Sequence, residues 1–132
     1  MKGFKSNIEK DTVENENFRK VIYTGHHLQL VLMSLKANEE IGEEIHKDTD
    51  QFFRIEAGSG KCIIDGNEYP IKDGDVGIVP AGATHNVINT DNKTILKLYT
   101  IYTPPHHKDG IVRLTKEEAE KNEAAFDGNT TE

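Results

Sequence analysis

Between Val21 and Thr103 the chain is a series of short apolar runs, each cut off by turn chemistry, and this punctuation restricts the fold more than any other feature. The runs occupy residues 21–24, 28–35, 39–46, 51–57, 61–65, 68–71, 75–80, 85–89 and 94–103. Between them, Gly58-Ser59-Gly60, Asp65-Gly66-Asn67, Asp73-Gly74-Asp75 and Asp91-Asn92-Lys93 offer the positive-φ tolerance or Asx bonding that tight turns need. Nine short runs at regular spacing predict an all-β chain rolled into a barrel, with Gly58-Ser59-Gly60 as a hairpin turn. Helix is expected only after the barrel. Thr115 and Glu118 form a capping box, and the helix it opens should continue to about Phe126 and end before Gly128.

The expected organisation is one domain: an N-terminal arm over 1–20, a barrel over 21–114 and a C-terminal helix and tail over 115–132. A chain of 132 residues can bury a core without staples. Cys62 is the only cysteine, so no intrachain disulfide can form and a reducing compartment is expected. The opening MKGFKSNIEKD lacks an apolar signal core, and no run approaches the roughly 18 apolar residues of a membrane span. The expectation is a cytoplasmic protein without membrane contact. With 16 Lys and Arg against 23 Asp and Glu, and no basic stripe, nucleic acid is not an expected partner.

The chemistry concentrates in two stretches. In 74–89, Gly74 turns the chain into a strand, Pro80 ends its pairing, Gly82 permits reversal and His85 opens the returning strand. A rigid hairpin thus delivers one imidazole at a fixed point. Alternation then sends Val87 and Asn89 the same way as His85, with Asn86 and Ile88 on the opposite face. Upstream, Glu44 and His46 stand at i and i+2, on one face of one strand, where both can bind one ion. Gln51 leads the next strand and shares a face with Phe53 and Ile55. In each case a polar group leads and hydrophobes follow, which predicts donors gathered at one level of a barrel above apolar layers.

These residues resemble the two motifs of a small single-domain bacterial cupin. The second motif, Gly, five residues, Pro, one, Gly, two, His, three, Asn, is matched at every fixed position by Gly74, Pro80, Gly82, His85 and Asn89. The first, His-x-His, three or four residues, Glu, six residues, Gly, aligns with Glu44, His46, Gln51 and Gly58, so two of its ligand positions are substituted. LYTIYTPPHHKDG at 98–110 also resembles the end of stand-alone bacterial cupins, some of them mannose-6-phosphate-isomerase-like. The resemblance implies a cupin-type double-stranded β-helix, a jelly-roll barrel that often pairs as a homodimer. It also implies a divalent metal held by Glu44, His46, Gln51 and His85. One carboxylate gained at 44 offsets one lost at 51, which keeps the donor charge of the usual family set. Mixed nitrogen and oxygen donors without thiolate suit Mn, Fe, Ni or Zn.

Other residues have two readings each. His106 and His107 follow two prolines and either reach the barrel mouth as an acid/base pair or lie in a stiffened surface segment. Tyr102 and Tyr99 lie on opposite faces of one strand; Tyr102 is kept as a catalytic candidate beside His106 and His107. Asp48 and Asp50 are alternative carboxylates or solvated turn residues. His26 and His27 read as surface histidines, and Cys62 as a packed inert thiol. The leading functional expectation is a metal-dependent enzyme acting on a small polar or sugar-like substrate by isomerase- or epimerase-type Lewis-acid chemistry. The alternatives are a metal-dependent dioxygenase and a non-catalytic cupin that binds a small ligand.

Overall fold

Period-two alternation dominates the chain from Arg19 to Arg113, and the computed structural model, which describes all 132 residues, turns it into ten strands and two short helices. One sheet contains β10 (Val112–Arg113), β1 (Arg19–Thr24), β2 (Gln29–Leu35), β9 (Leu96–Thr103), β4 (Asp50–Ala57) and β7 (Val76–Val79), in that order. The other runs β3 (Glu44–Ile45), β8 (Thr84–Ile88), β5 (Ser59–Ile64) and β6 (Asn67–Lys72). Every pairing is antiparallel, and the chain crosses repeatedly between the sheets, as in the jelly roll expected.

Register explains the layering. Gln29, Tyr102, Gln51 and Val79 are directly opposite one another across β2, β9, β4 and β7, and so are Val31, Thr100, Phe53 and Gly77 one step further in. Met33, Leu98 and Ile55 form a third row, Leu35 and Leu96 a fourth. The first row is largely polar; the deeper ones are apolar apart from Thr100 and fully buried at Val31, Met33, Phe53, Ile55, Leu96 and Leu98. Each such aliphatic or aromatic side chain contributes about 1.5–3 kcal/mol to folding. Gly77 is required by this packing, because a Cβ there would collide with the Phe53 ring.

Four local expectations are corrected. Residues 1–20 are not only an arm: Ile8–Glu14 form α1, capped by Asn7, whose side chain accepts from Lys10 N. Its one buried residue is Thr12, so the apolar periodicity that would announce a helix is missing from the sequence. The C-terminal helix α2 (Lys116–Lys121) starts at Thr115 as the capping box requires but stops before Asn122, well short of Phe126. Gly58-Ser59-Gly60 is no hairpin turn; it carries the chain from β4 in one sheet to β5 in the other, and a Cβ on Gly58 would lie 2.5 Å from the Ile95 carbonyl oxygen. The run at 39–46 pairs as a strand only at Glu44–Ile45, with a lone bridge from Glu40 to Ile88.

Candidate metal centre

Two backbone devices fix the donors. β3 pairs with β8 so that Glu44 lies opposite His85, which turns both side chains to the same face. The hairpin expected over 74–89 is instead a crossover, since β7 pairs with β4 in one sheet and β8 with β3 and β5 in the other; in its turn the Gly82 amide donates to the His46 carbonyl at 2.8 Å and ties the end of β3 to the segment that carries His85. Gly82 adopts φ +90°, the left-handed conformation that the reversal demands.

One potential ligand atom from each of Glu44, His46 and His85 lies within 4.8 Å of the other two. Donors about 2.0–2.2 Å from a divalent ion stand roughly 3–4 Å apart, so small rotamer changes close this shell. Both imidazoles are buried, with ring centroids 5.0 Å apart. His46 Nε2 lies 3.0 Å from Glu44 Oε2, but too far off the line of the ring N–H to make a hydrogen bond. That is the relation of two ligands to one ion. His85 Nδ1 lies 3.3 Å from the Ala83 carbonyl oxygen; the tautomer that donates there leaves Nε2 free to ligate.

Gln51 also faces inward. Its Nε2 donates to Thr100 Oγ1 at 3.0 Å, and its Oε1 is buried with no partner. A buried carbonyl oxygen left unsatisfied is costly, and a bound cation would relieve it. The residues present therefore fit a divalent ion.

Electrostatics sets the required protonation states. Burial raises the Glu44 carboxyl, but contact with His46 and the positive charges of His46, Arg19 and His85 outweigh it and hold the group below its ordinary value. Burial lowers His85, helped by the charge of His46 and opposed by Ala83 and Glu44. A lowered Glu44 carboxyl and a lowered His85 imidazole both favour the unprotonated forms that a metal needs.

The histidines after the double proline come to this same place. The His106 ring centroid lies 4.1 Å from that of His46, and Tyr102 packs edge-on to His46 at 5.8 Å. His107 is edge-on to Tyr102 at 5.2 Å. Burial, together with the charges of His46, Arg19 and His85, holds His106 down to about 4. Burial holds His107 lower still, and raises the Tyr102 phenol. The surface reading of His106 and His107 thus gives way to an interior one, while His26, His27 and Asp48 are exposed in bends or turns and Asp50, expected in the turn, is exposed as the first residue of β4. Asp50 caps the Ala81 amide at 2.7 Å. Cys62 is buried, and its thiol is pushed up to about 11 by that burial.

Sequence reasoning missed Gln29. Fully buried, it accepts through Oε1 from the amides of His106 and His107 at 3.2 and 2.9 Å, and donates through Nε2 to the His107 carbonyl at 2.6 Å and Thr24 Oγ1 at 3.0 Å. It fixes the two histidines by their backbone. The signal was present, since Gln29 leads Val31, Met33 and Leu35 on one face just as Gln51 leads Phe53 and Ile55. Also unannounced were Arg19 and Arg113, which with Glu44, His46, His106 and His107 line a cavity of about 390 Å³ walled by residues 122–125.

Residues 31–102, more than half of the chain, match the family model described as the cupin domain. The chain belongs to the cupin family. It is 46% identical over 124 residues to YrkC of Bacillus subtilis (strain 168), an uncharacterized protein, covering 89% of this chain and 66% of that one. It is 43% identical over 109 residues to the uncharacterized protein L612 of Acanthamoeba polyphaga mimivirus, covering 80% and 68%. The cupin chain thus spans about two thirds of these relatives' length. A stretch of 78 residues is 30% identical to quercetin 2,3-dioxygenase of Bacillus subtilis (strain 168), 59% of this chain but 23% of that enzyme. The crystal structure of BH2720 from Bacillus halodurans is similar with TM-score 0.87 at 42% identity, covering 90% of this chain and 94% of that one. KdgF from Halomonas sp. shares the fold at TM-score 0.59 and 16% identity, over 65% and 76% of the two chains.

Proposed function

We propose that this cupin is a metal-dependent enzyme that moves a proton on a small polar, sugar-like substrate, in the manner of an isomerase or epimerase. The observation that carries the reading is the His106 imidazole, held 4.1 Å from His46 with both rings on one cavity. Glu44, His46 and His85 would hold the ion, Gln51 Oε1 would complete the set, and Mn, Fe, Ni or Zn each suits it. A bound ion supplies Lewis-acid polarisation of a substrate carbonyl or hydroxyl. His106 is unprotonated at neutral pH and can accept a proton at a ring nitrogen from the carbon beside that group. Gln29 keeps the imidazole in position through the backbone, and the buried Tyr102 ring packs edge-on with both His46 and His107. Such a chemistry would group the protein with the mannose-6-phosphate-isomerase-like stand-alone cupins.

The experiment is solvent exchange. Mn²⁺- or Fe²⁺-loaded protein is incubated in D₂O with sugar phosphates and small hydroxy and keto compounds while NMR follows deuterium entry at carbon and an electrode follows oxygen. The reading predicts deuterium entry without oxygen uptake, lost in His106→Ala while bound metal remains. Oxygen consumption would instead favour the second reading, a dioxygenase, which is supported by the two-histidine, one-carboxylate donor set and by the stretch shared with quercetin 2,3-dioxygenase. Saturable binding without turnover would favour a non-catalytic ligand-binding cupin.

A further inference from the structure

Arg19 opens β1 and Arg113 closes β10, and the two are direct cross-strand partners in an antiparallel pair. Like charges in that relation repel. Arg19 also lies opposite Met33, a fully buried core residue, and shares its face with buried Val21, so its side chain starts inward. Arg113 is tied down: Nε and Nη2 donate to the Asn122 carbonyl at 3.2 and 2.9 Å, and Nη1 to the Val112 carbonyl at 3.2 Å. Arg19 makes no such bond: its guanidinium lies 5.4 Å over the centre of the Phe18 ring, and its Nε is buried with no hydrogen-bond partner. Both arginines line the cavity that Glu44, His46, His106 and His107 also line.

No carboxylate forms an ion pair with either arginine, although Glu44 feels the charge of Arg19 and Glu43 and Glu120 line an adjoining pocket with it. Glu44 is in contact with His46, and Glu123 is exposed at the edge of the cavity. A neutral ligand would leave the repulsion across the strand pair and the buried Arg19 Nε unrelieved.

We propose that Arg19, with Arg113 beside it, is an oxyanion anchor, and that the ligand of this cavity is a small molecule carrying a carboxylate or phosphate. The guanidinium fork of Arg19 takes the anionic group, which sits between the two arginines and screens their repulsion. The cavity volume lies within the range of small-molecule sites, about 300–1,000 Å³. The inference rests on the proposed ion site only for which end of the ligand faces Glu44, His46 and His85; the anion anchor itself requires no metal.

Calorimetric titration tests it on the full chain, with metal-free and Mn²⁺-loaded protein assayed separately. The probes are inorganic phosphate, oxalate and the neutral glycolamide. Wild-type protein should bind at least one anion about tenfold or more tightly than glycolamide, with affinity falling as salt rises. Arg19→Gln should lose about ten- to a hundredfold in anion affinity and nothing toward glycolamide, Arg19→Lys should recover part of it, and Arg113→Gln should weaken the anion by a smaller factor. The preferred anion tells phosphate from carboxylate ligands. Phosphate or oxalate should also raise the thermal midpoint of wild type and leave that of Arg19→Gln unmoved. Arg19-dependent anion binding in protein that takes up no Mn²⁺ would uphold the anchor while removing the ion site. Equal anion affinity in wild type and in folded Arg19→Gln and Arg113→Gln, or no preference for anions over glycolamide in either state, would overturn it.

Discussion

The two cupin motifs of this chain solve the same problem by different means. The second, 74–89, is a crossover from β7 in one sheet to β8 in the other, and its motif residues are mostly structural. Gly82 reverses the chain, and Asn89 is buried with its Nδ2 donating to the carbonyls of Leu35, Lys36 and Thr94 at 3.1, 3.0 and 2.9 Å. Only His85 is offered to chemistry. The first, 44–58, has little regular pairing before Gln51, yet it supplies Glu44, His46 and the unpartnered Gln51 oxygen. The scaffold-bearing motif is intact and the donor-bearing one is altered. The fold can therefore persist while the ligand set changes, because the hydrogen bonds of Gly82 and Asn89 go to main-chain carbonyls and do not depend on the donor side chains.

The strongest way to break this contrast is to remove one imidazole from each motif. His46→Ala with His85→Ala should lower divalent-metal affinity by more than about a hundredfold, measured by metal analysis after dialysis, with β-rich circular dichroism unchanged. Undiminished metal would contradict the donor assignment. Acid probes the imidazoles that cover the site. Unfolded histidine takes up a proton near pH 6.5, whereas His106 in the folded chain does so only near 4, so lowering the pH through that interval favours the unfolded state. Metal-free protein should lose up to about 3 kcal/mol of unfolding free energy across it, by denaturant titration, and His106→Phe should flatten the slope.

A scaffold substitution should behave in the opposite sense to the histidine pair. Asn89→Ala strips the donor from three backbone carbonyls and should cost about 2–3 kcal/mol in stability, with metal affinity unchanged per folded molecule. Loss of metal without loss of stability would show that this motif does more than hold the frame. The smallest effect sharpens the comparison: Gln51→Glu returns a carboxylate to the first motif and should tighten Mn²⁺ binding about tenfold, while Gln51→Leu should weaken it by a similar factor. Calorimetry decides between these signs, and no change in either variant would leave Gln51 outside the donor set.

What the sequence made legible was whatever alternation and turn chemistry encode. Gln51, Phe53 and Ile55 are all buried on one face, as are His85, Val87 and Asn89. Asn86, expected to face outward, is buried as well, because the segment before β3 covers it and the Gly42 amide donates to its side chain at 2.9 Å. The C-terminal wall of the cavity was illegible for a different reason. Residues 122–126 are held by main-chain bonds from Lys108 N to Ala124 O and from Phe126 N to His106 O, which leave no side-chain signature. Arg19 and Arg113 meet only through a strand register between residues 94 positions apart, and no local pattern announces such a pairing.

Anomalous diffraction from Mn²⁺-soaked crystals tests the account most directly. It predicts one strong peak within about 2.0–2.3 Å of an oxygen of Glu44 and a nitrogen of each of His46 and His85, with Gln51 Oε1 turned toward it. A peak elsewhere, or protein saturated with Mn²⁺ in solution whose crystals show these three side chains turned apart, would contradict it.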